Sequence, residues 1–578
     1  MSQRLSERYL GLRKEAVVRA AQELERCGFT REGDRLWAGP ISISGRPALR
    51  IRVELPLQFP DTLPSIFLNE ASDSSVRAHV GSDGKVCIAP DTGVLLDTDR
   101  PERIVLDGLD RAKQVLFQSD ELTQRLEVES EFTAYWAEPP GVLTICDPTV
   151  ESRPIVLAEV ARSGAEGFLL APTADSVRRW TAATRATANW VRGAYFVRLD
   201  SLFTPPRLGH AITLRDLLSL VKTHSEASVH ANLSQWLEAH GLPSSLLLSG
   251  PSTDRSSYVV FAALIPAGPV PKGFRPGKVP PKVQVGAARI LPVKRLGVER
   301  ADPPYALTRG GGLPDLINRR VVVIGCGSVG SYACASLASC GVGNLQLLDH
   351  ETLESANIHR HLLGAIDLGR NKAEALADRL QERFPLTQIQ AVPRRIEDVL
   401  EVDPDTLVGA HLVLVALGDE TLELRLNDYF GLEFPRVHVS LEPLGLGGRV
   451  VTVGVGARQG CLECLYRRDD EFGLVCMASL CAPGQRFQRT LGGCRGTFTP
   501  YGAVDAERAA IEAVRQVISA LTDTGCRPAI ISWVVSTTSF TTAGYKLSSR
   551  GEALRPGSTQ VLEEFARPDC RVCSRSRS

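Results

Sequence analysis

The chain has 578 residues, 43% of them hydrophobic, with 66 lysines and arginines balanced by 66 aspartates and glutamates. That length predicts about three or four domains, and zero net charge gives no electrostatic footing for a nucleic-acid or anionic-membrane partner. No apolar run reaches the roughly 20 residues a bilayer demands, the N-terminus lacks an apolar export core, and the 14 cysteines therefore read as thiols, ligands or nucleophiles of a reducing cytoplasm.

Val17, Ala20, Ala21, Leu24 and Cys27 recur at helical spacing, an amphipathic helix stopped by Gly28. Strands follow. Ile41 and Ile43 alternate with serines, Gly45-Arg46-Pro47 turns the chain, and Leu49, Ile51, Val53, Leu55 and Leu57 fall on one face. The meander continues through Phe59-Pro60 and Leu63 to Leu68, and a polar loop leads to His79 and, after the Gly84 turn, to Cys87. Ile104, Val105, Leu109, Ala112, Val115 and Leu116 form a second amphipathic helix, and Glu131 to Trp136 close the module before Pro139-Pro140. A thiol in such a loop is nucleophilic as thiolate, which Lys85 or His79 can favour.

This order of helix, meander, loop with one cysteine and helix resembles the ubiquitin-conjugating fold in its shortened bacterial form, over residues 1–140. The resemblance implies that Cys87 is the thioester cysteine. Where that family has His-Pro-Asn, this chain has Arg77-Ala78-His79, so His79 is expected to replace the asparagine as a hydrogen-bond donor or to act as a base.

A mixed α/β middle domain is expected over residues 141–265, with strand-like runs at 142–146, 168–171 and 258–265 and helical runs at 214–222 and 229–240. It carries no paired carboxylates, nucleophile motif or metal spacing. Pro266, Pro269, Pro271, Pro276, Pro280 and Pro281, with Lys272, Arg275 and Lys278, read as a semi-extended linker over 266–300. The last domain spans 301–578.

There Val321 to Ile324 form a buried strand, Gly325, Gly327 and Gly330 a glycine turn into a helix, and Asp349 closes the next strand. Such glycines let backbone approach a phosphate, the helix N-terminus offers N–H groups and a positive dipole end, and the acid takes a ribose hydroxyl. Alone, the pattern suits a dinucleotide. Asn357 and Arg360, then Asn371 and Lys372, add two cations near the phosphates, for which a NAD-dependent oxidoreductase has no clear use. Lys372 opens a helix with Ala373, Leu376, Ala377, Leu380 and Phe384 on one face, and Leu412 to Leu417 form another buried strand with Gly418-Asp419 at its carboxyl end.

The array resembles the ubiquitin-activating, ThiF-like family, which adenylates the C-terminal carboxylate of a small protein. The resemblance implies ATP and Mg2+, with Gly325, Gly327 and Gly330 lining the turn, Asp349 on ribose and Arg360 and Lys372 on the phosphates. Asn357 precedes that arginine, and Asp419, with Arg425 and Asn427 downstream, is the magnesium-linked acid. A homodimer is implied as well, with Arg309 offered to the partner subunit's phosphates. Cys461-x-x-Cys464 and Cys570-x-x-Cys573 have the spacing by which two turns complete a four-thiolate Zn2+ site. Cys494, in a glycine-rich loop before a helix from Asp505, is the expected acyl-accepting cysteine, with Cys476 and Cys481 as rivals.

The expected fold class is α/β multidomain: an α+β ubiquitin-conjugating-like domain, a mixed middle domain and a Rossmann-like ThiF-type adenylating domain with a four-cysteine zinc site. This order is similar to the fused activating and conjugating enzymes of bacterial type II CBASS anti-phage operons. The similarity implies adenylation of a protein C-terminus, thioester formation on Cys494, transthiolation to Cys87 and ligation to an amine, expected to be a lysine. The activated partner would be a cGAS-like nucleotidyltransferase or a ubiquitin-like protein. The alternatives are a sulfur-carrier adenylyltransferase with a non-catalytic N-terminal binding domain, or a NAD-dependent oxidoreductase.

Overall fold

A computed structural model describes residues 2–43, 46–68, 78–81, 83–88, 93–117, 127–129, 131–137, 141–206, 210–456, 460–490 and 497–575. The chain forms two compact units, one of residues 1–160, 166–174 and 189–301, the other of residues 161–165, 175–188 and 302–578.

The first unit holds one whole sheet and most of a second. Helices Ser2–Arg26 and Pro101–Phe117 pack on an antiparallel meander of β1 (Thr30–Arg31), β2 (Leu36–Ile41), β3 (Leu49–Glu54) and β4 (Ser65–Leu68). Strand alternation sends Ile51 and Val53 into a core with Leu24, Trp37, Ile66 and Val105. Each such side chain contributes about 1.5–3 kcal/mol on burial. Leu57, expected on that face, is 74% exposed. Pro56 follows the end of β3 at Glu54 and has no N–H to extend the ladder. Gly28 does stop the first helix, with φ 85°, whereas Cys27 is exposed rather than packed.

The second sheet comprises β5 (Val142–Thr144), β6 (Arg153–Arg162), β7 (Ala165–Ala171), β8 (Thr187–Arg198), β9 (Ser244–Pro251), β10 (Tyr258–Ile265), β11 (Lys294–Leu296) and β12 (Val298–Arg300). Its order is β11-β10-β9-β8-β6-β7-β5-β12. Helices Leu214–His224, Ala227–His240 and Pro281–Ala288 share a core with Val197, Leu246, Leu248 and Phe261 of this sheet.

Two expected boundaries shift. Helix Phe132–Trp136, read as the end of the first module, buries Phe132 and Trp136 in this second core. Trp136 Nε1 also donates to the Ala262 carbonyl at 2.9 Å. Residues 281–300, read as part of the linker, instead form a helix and two strands and bury Val285, Ala288 and Val293. Pro281 stands in the first turn of its helix, where a missing N–H costs nothing and a fixed φ helps. Proline content therefore did not exclude structure there.

The second unit is built on β13 (Arg320–Ile324), β14 (Asn344–Leu348), β15 (Gln388–Val392), β16 (Leu412–Val415) and β17 (Arg436–Leu441), all parallel, with β18 (Gly447–Val453) antiparallel beside them. Two short ribbons, β19 (Tyr466–Asp469) with β20 (Gly473–Cys476) and β21 (Arg489–Thr490) with β22 (Thr497–Phe498), precede β23 (Ala529–Val534) and β24 (Thr559–Leu562). The order β15-β14-β13-β16-β17-β18-β23-β24 is the expected Rossmann-like arrangement. Strand order reverses between β13 and β16, the crevice where such sheets bind ligands. Helix Ala503–Thr522 packs against helix Ser328–Cys340 and buries Ala509, Ala510 and Ala513 in the core they share with the sheet. Among the described residues no helix is long and apolar enough to cross a membrane.

Candidate active sites

At the carboxyl ends of β13 and β16 lies a cavity of about 840 Å³. Gly325 leaves β13 at φ 92°, and a Cβ there would stand 2.6 Å from the Ala416 carbonyl oxygen. One at Gly330 would stand 1.9 Å from the Gly325 carbonyl oxygen. Only glycine fits either place. Gly327 lines the cavity, and a Cβ there meets nothing within 4 Å.

Asp349, at the end of β14, ties this turn in place. Its Oδ2 accepts the Cys326 N–H at 2.7 Å and its Oδ1 the Glu351 N–H at 2.8 Å. Asn371 accepts the Glu374 N–H, capping helix Lys372–Arg383, and donates to the Asp349 carbonyl at 2.9 Å. That brace puts Lys372 in the cavity wall at 6% exposure, its Nζ paired with Glu351. The ammonium holds the Glu351 carboxyl below its ordinary range.

Arg360 lines the same cavity with its guanidinium 4.6 Å from the centre of the Tyr501 ring, and the Tyr501 hydroxyl lies 2.7 Å from Ser328 Oγ. Asn357 is also in the wall and accepts the Glu354 N–H at 3.0 Å. Asp419 is exposed and caps helix Glu420–Phe430, accepting the Thr421 and Leu422 N–H groups at 3.0 and 3.1 Å. Its neighbours Gly418 and Glu420 line the cavity.

Cys461, Cys464, Cys570 and Cys573 are all buried, and their sulfurs lie within 4.8 Å of one another. The separations are 3.9 Å for 461–464 and 3.5 Å for 461–570 and 464–573. A tetrahedral ion with bonds of about 2.3 Å needs sulfurs about 3.8 Å apart, so the four residues fit zinc. The Arg567 N–H points at Cys464 Sγ from 3.4 Å, a donor that suits a thiolate. Asn427, grouped by sequence with the magnesium acid, is here instead. It is fully buried, accepting from Arg436 Nη2 at 2.5 Å and from the Leu462 N–H at 3.1 Å.

In the first unit a cavity of about 770 Å³ is lined by His79, Lys85, Cys87, Glu131 and Tyr135. Cys87 is exposed, not packed in the core. Its N–H donates to the His79 carbonyl at 2.8 Å, and Val80 bridges Val86, so residues 79 and 87 oppose each other across a short ladder. Gly84 turns that ladder at φ 82°, where a Cβ would stand 2.7 Å from the Leu68 carbonyl oxygen. His79 Nδ1 lies 2.7 Å from Glu131 Oε1, and Glu131 Oε2 takes the Tyr135 hydroxyl at 3.2 Å and the His79 N–H at 3.3 Å.

The ThiF family matches residues 304–541, and prokaryotic E2 family B matches residues 17–141. A molybdopterin-synthase adenylyltransferase of Escherichia coli (strain K12) is 31% identical over 172 residues, 29% of this chain and 67% of that protein. The chain belongs to the ThiF family and carries a prokaryotic E2 family B domain. It is an enzyme of the adenylyltransferase and ubiquitin-transferase-like kind. An "ATP-dependent ubiquitin transferase-like protein Cap2" of Pseudomonas aeruginosa is 24% identical over 483 residues, 79% of each chain. E. coli MccB, solved with ATP, is 18% identical over 47% of this chain and 69% of that one, at a TM-score of 0.33 that carries no argument about the site.

Several residues of the ThiF domain escape sequence reasoning. His361 is 4% exposed; its Nδ1 accepts the Leu363 N–H at 3.0 Å and its Nε2 lies 2.7 Å from the Cys326 carbonyl, to which it donates. Both ring nitrogens are thus used by a neutral ring that braces the glycine turn, and burial holds its pKa below the ordinary value. Glu423 and His438 form a buried pair at 3.3 Å, and Glu423 accepts the Gly418 N–H at 3.2 Å. These partners lie 35 and 15 residues apart along the chain, so no local motif marks them.

The rival cysteines separate. Cys481 is buried with Sγ 3.2 Å from Glu442 Oε2, and burial with that carboxylate pushes its thiol far up, against a role as thiolate nucleophile. Cys476 is half-buried opposite Tyr466 in the β19–β20 ribbon. Cys494 lies outside the described residues.

Proposed function

We propose that this enzyme adenylates the C-terminal carboxylate of a protein and passes the acyl group through two thiols to an amine. ATP binds in the glycine-cradled cavity, with Gly325, Gly327 and Gly330 giving the backbone access to phosphate and Asp349 taking a ribose hydroxyl. Arg360 and Lys372, with Asn357 beside them, offset the charge that grows on the departing pyrophosphate. One carboxylate oxygen of the substrate bonds to the α-phosphorus as the bond to the pyrophosphate oxygen breaks. Asp419 offers an exposed oxygen donor just past β16 for Mg2+, which when bound supplies charge neutralisation at the phosphates.

Cys494 then attacks the acyl-adenylate carbonyl and AMP leaves. Cys87 takes the acyl group by thiol–thioester exchange, and a lysine amine takes it last, releasing the Cys87 thiolate. His79 faces that last step as base or donor. Cys461, Cys464, Cys570 and Cys573 hold a structural Zn2+ with no open position, tying the segment around residue 570 to the domain with a binding free energy on the order of 10 kcal/mol. The shared extent with Cap2 supports extending the proposal to CBASS-type anti-phage conjugation. The activated partner would be a cGAS-like nucleotidyltransferase or a ubiquitin-like protein, and the enzyme a homodimer through its ThiF domain.

The observation that carries this reading is Lys372, a cation held at 6% exposure in the wall that also contains the glycine turn. The nicotinamide reading gives it no clear task. Thermal unfolding of the full chain with either nucleotide tests the point. ATP with Mg2+ should raise the melting temperature, Lys372→Ala should reduce that rise, and NAD should give none. Stabilisation by NAD but not by ATP would sink the reading.

A further inference from the structure

At the Cys87 site the side chains have an order that neither the loop sequence nor the conjugating-fold resemblance supplies. A carboxylate can only accept hydrogen bonds, so the 2.7 Å contact between Glu131 Oε1 and His79 Nδ1 requires that nitrogen to carry a proton. With Nδ1–H committed to Glu131, Nε2 is the ring nitrogen left to accept a proton. The Cys87 N–H donates to the His79 carbonyl and both residues line one cavity, so the imidazole and the thiol share a chamber.

Glu131 is itself held. It takes the Tyr135 hydroxyl, and Tyr135 is 7% exposed in a small cluster with Ala78 and Val128. Burial and the adjacent carboxylate raise the Tyr135 pKa, which keeps it a donor. Glu131 and Tyr135 are four residues apart and both line the cavity. The helix between them, Phe132–Trp136, buries Phe132 and Trp136 in the core of the middle sheet. The ring centroids of Phe132 and Phe261 are 4.6 Å apart, and those of Trp136 and Phe261 are 4.7 Å apart.

We propose that Glu131 is the positioning residue of the conjugating site, supplied by a helix anchored in the middle domain, and that it orients His79 as the base for amine attack on the Cys87 thioester. This rests on the reading of Cys87 as an acyl carrier. In the step, the amine nitrogen bonds to the thioester carbonyl carbon, its proton passes to His79 Nε2, the C–S bond breaks and Cys87 leaves as thiolate. The imidazolium, stabilised by Glu131, then releases its proton to solvent. The middle domain thereby gains a role, because its core fixes the segment that carries this carboxylate.

The test uses the full chain acylated by the N-acetylglycine thioester of mercaptoethanesulfonate, with the modified cysteine located by peptide mass spectrometry. Discharge from Cys87 is then timed with Nα-acetyl-lysine, whose amine must lose a proton, and with hydroxylamine, which is already unprotonated at neutral pH. Glu131→Ala should slow discharge to the lysine by roughly 10- to 100-fold, up to the lower limit of the 10²- to 10⁴-fold effects of losing a general base outright, and change discharge to hydroxylamine by less than about threefold. In a His79→Ala background, Glu131→Ala should add nothing, as expected for residues acting as one unit. The isosteric Glu131→Gln, which keeps an acceptor for Nδ1–H, should lie between wild type and Glu131→Ala and guards against a folding defect. Equal slowing with both amines, wild-type discharge in Glu131→Ala, or additivity with His79→Ala would overturn the proposal. If Cys87 takes no acyl group even in the wild type, the acyl-carrier reading itself falls, and this inference with it.

Discussion

The two cavities hold their reactive groups by different means. Around the cavity of the ThiF domain, the glycine turn, Asp349 and Lys372 are fixed by strand ends, a helix cap and backbone hydrogen bonds within one α/β succession. At Cys87, the thiol and His79 sit on a short two-stranded ladder, while the carboxylate against His79 arrives from a helix rooted in another core. Backbone geometry admits almost no variation, since a single Cβ at Gly330 would collide with a carbonyl. A side-chain relay across two cores is easier to retune and easier to damage from a distance.

The largest effect expected to separate the two regions is loss of the metal. A strong chelator should release one Zn2+ per chain, measured by elemental mass spectrometry. It should lower the melting temperature of the ThiF domain by more than about 10 °C, given a metal-binding free energy on the order of 10 kcal/mol. Acylation of Cys87 by a small thioester should survive. Simultaneous loss of both would mean that the regions are not independent.

Next in size is Gly330→Ala, which should abolish stabilisation by ATP in a thermal-shift titration because the added carbon falls 1.9 Å from the Gly325 carbonyl oxygen. Lys372→Ala is a graded version of the same break. It should cut substrate-dependent ATP–pyrophosphate exchange by roughly 10²- to 10³-fold, the usual cost of removing one preorganised charge contact. Cys87→Ala should leave that exchange unchanged while ending transfer to an amine.

Most of the ThiF half was legible because its signals are local. A hydrophobic run, three glycines and an acid at the next strand end occupy one short stretch, and the fold brings Gly327, Asn357, Arg360 and Lys372 to one cavity. The cysteine pairs were legible for the same reason, each being a single turn, and their sulfurs do converge. His361, Glu423 and Glu131 were not, since each is defined by a partner remote in sequence. The segment 281–300 was misread because proline content describes a chain in isolation, whereas Val285, Ala288 and Val293 gain their structure from a core formed elsewhere. Asn427 was misplaced because its position along the chain follows Asp419 while the helix Glu420–Phe430 carries it to the cysteine cluster.

The smallest expected effect is a pH dependence confined to the ThiF domain. The folded pKa of His361 is depressed by burial below its ordinary value of about 6.5. Its contribution to stability is complete above that value and is lost as pH falls toward the lower folded pKa, because the unfolded chain binds the proton first. Melting temperature should therefore fall by about 2–4 °C for each 1 kcal/mol lost between pH 7.5 and 5.5. His361→Gln should flatten that slope. A slope unchanged in the variant would assign the acid sensitivity to other groups.

The most direct test of coupled chemistry in one polypeptide is an ester trap at residue 87. Cys87→Ser, expressed in the native host and purified under denaturing conditions, should carry a base-labile protein adduct at position 87 by mass spectrometry. The adduct should vanish when Lys372→Ala is added. An unmodified position 87, or an adduct that persists without Lys372, would contradict transfer of an acyl group from the nucleotide cavity to this thiol.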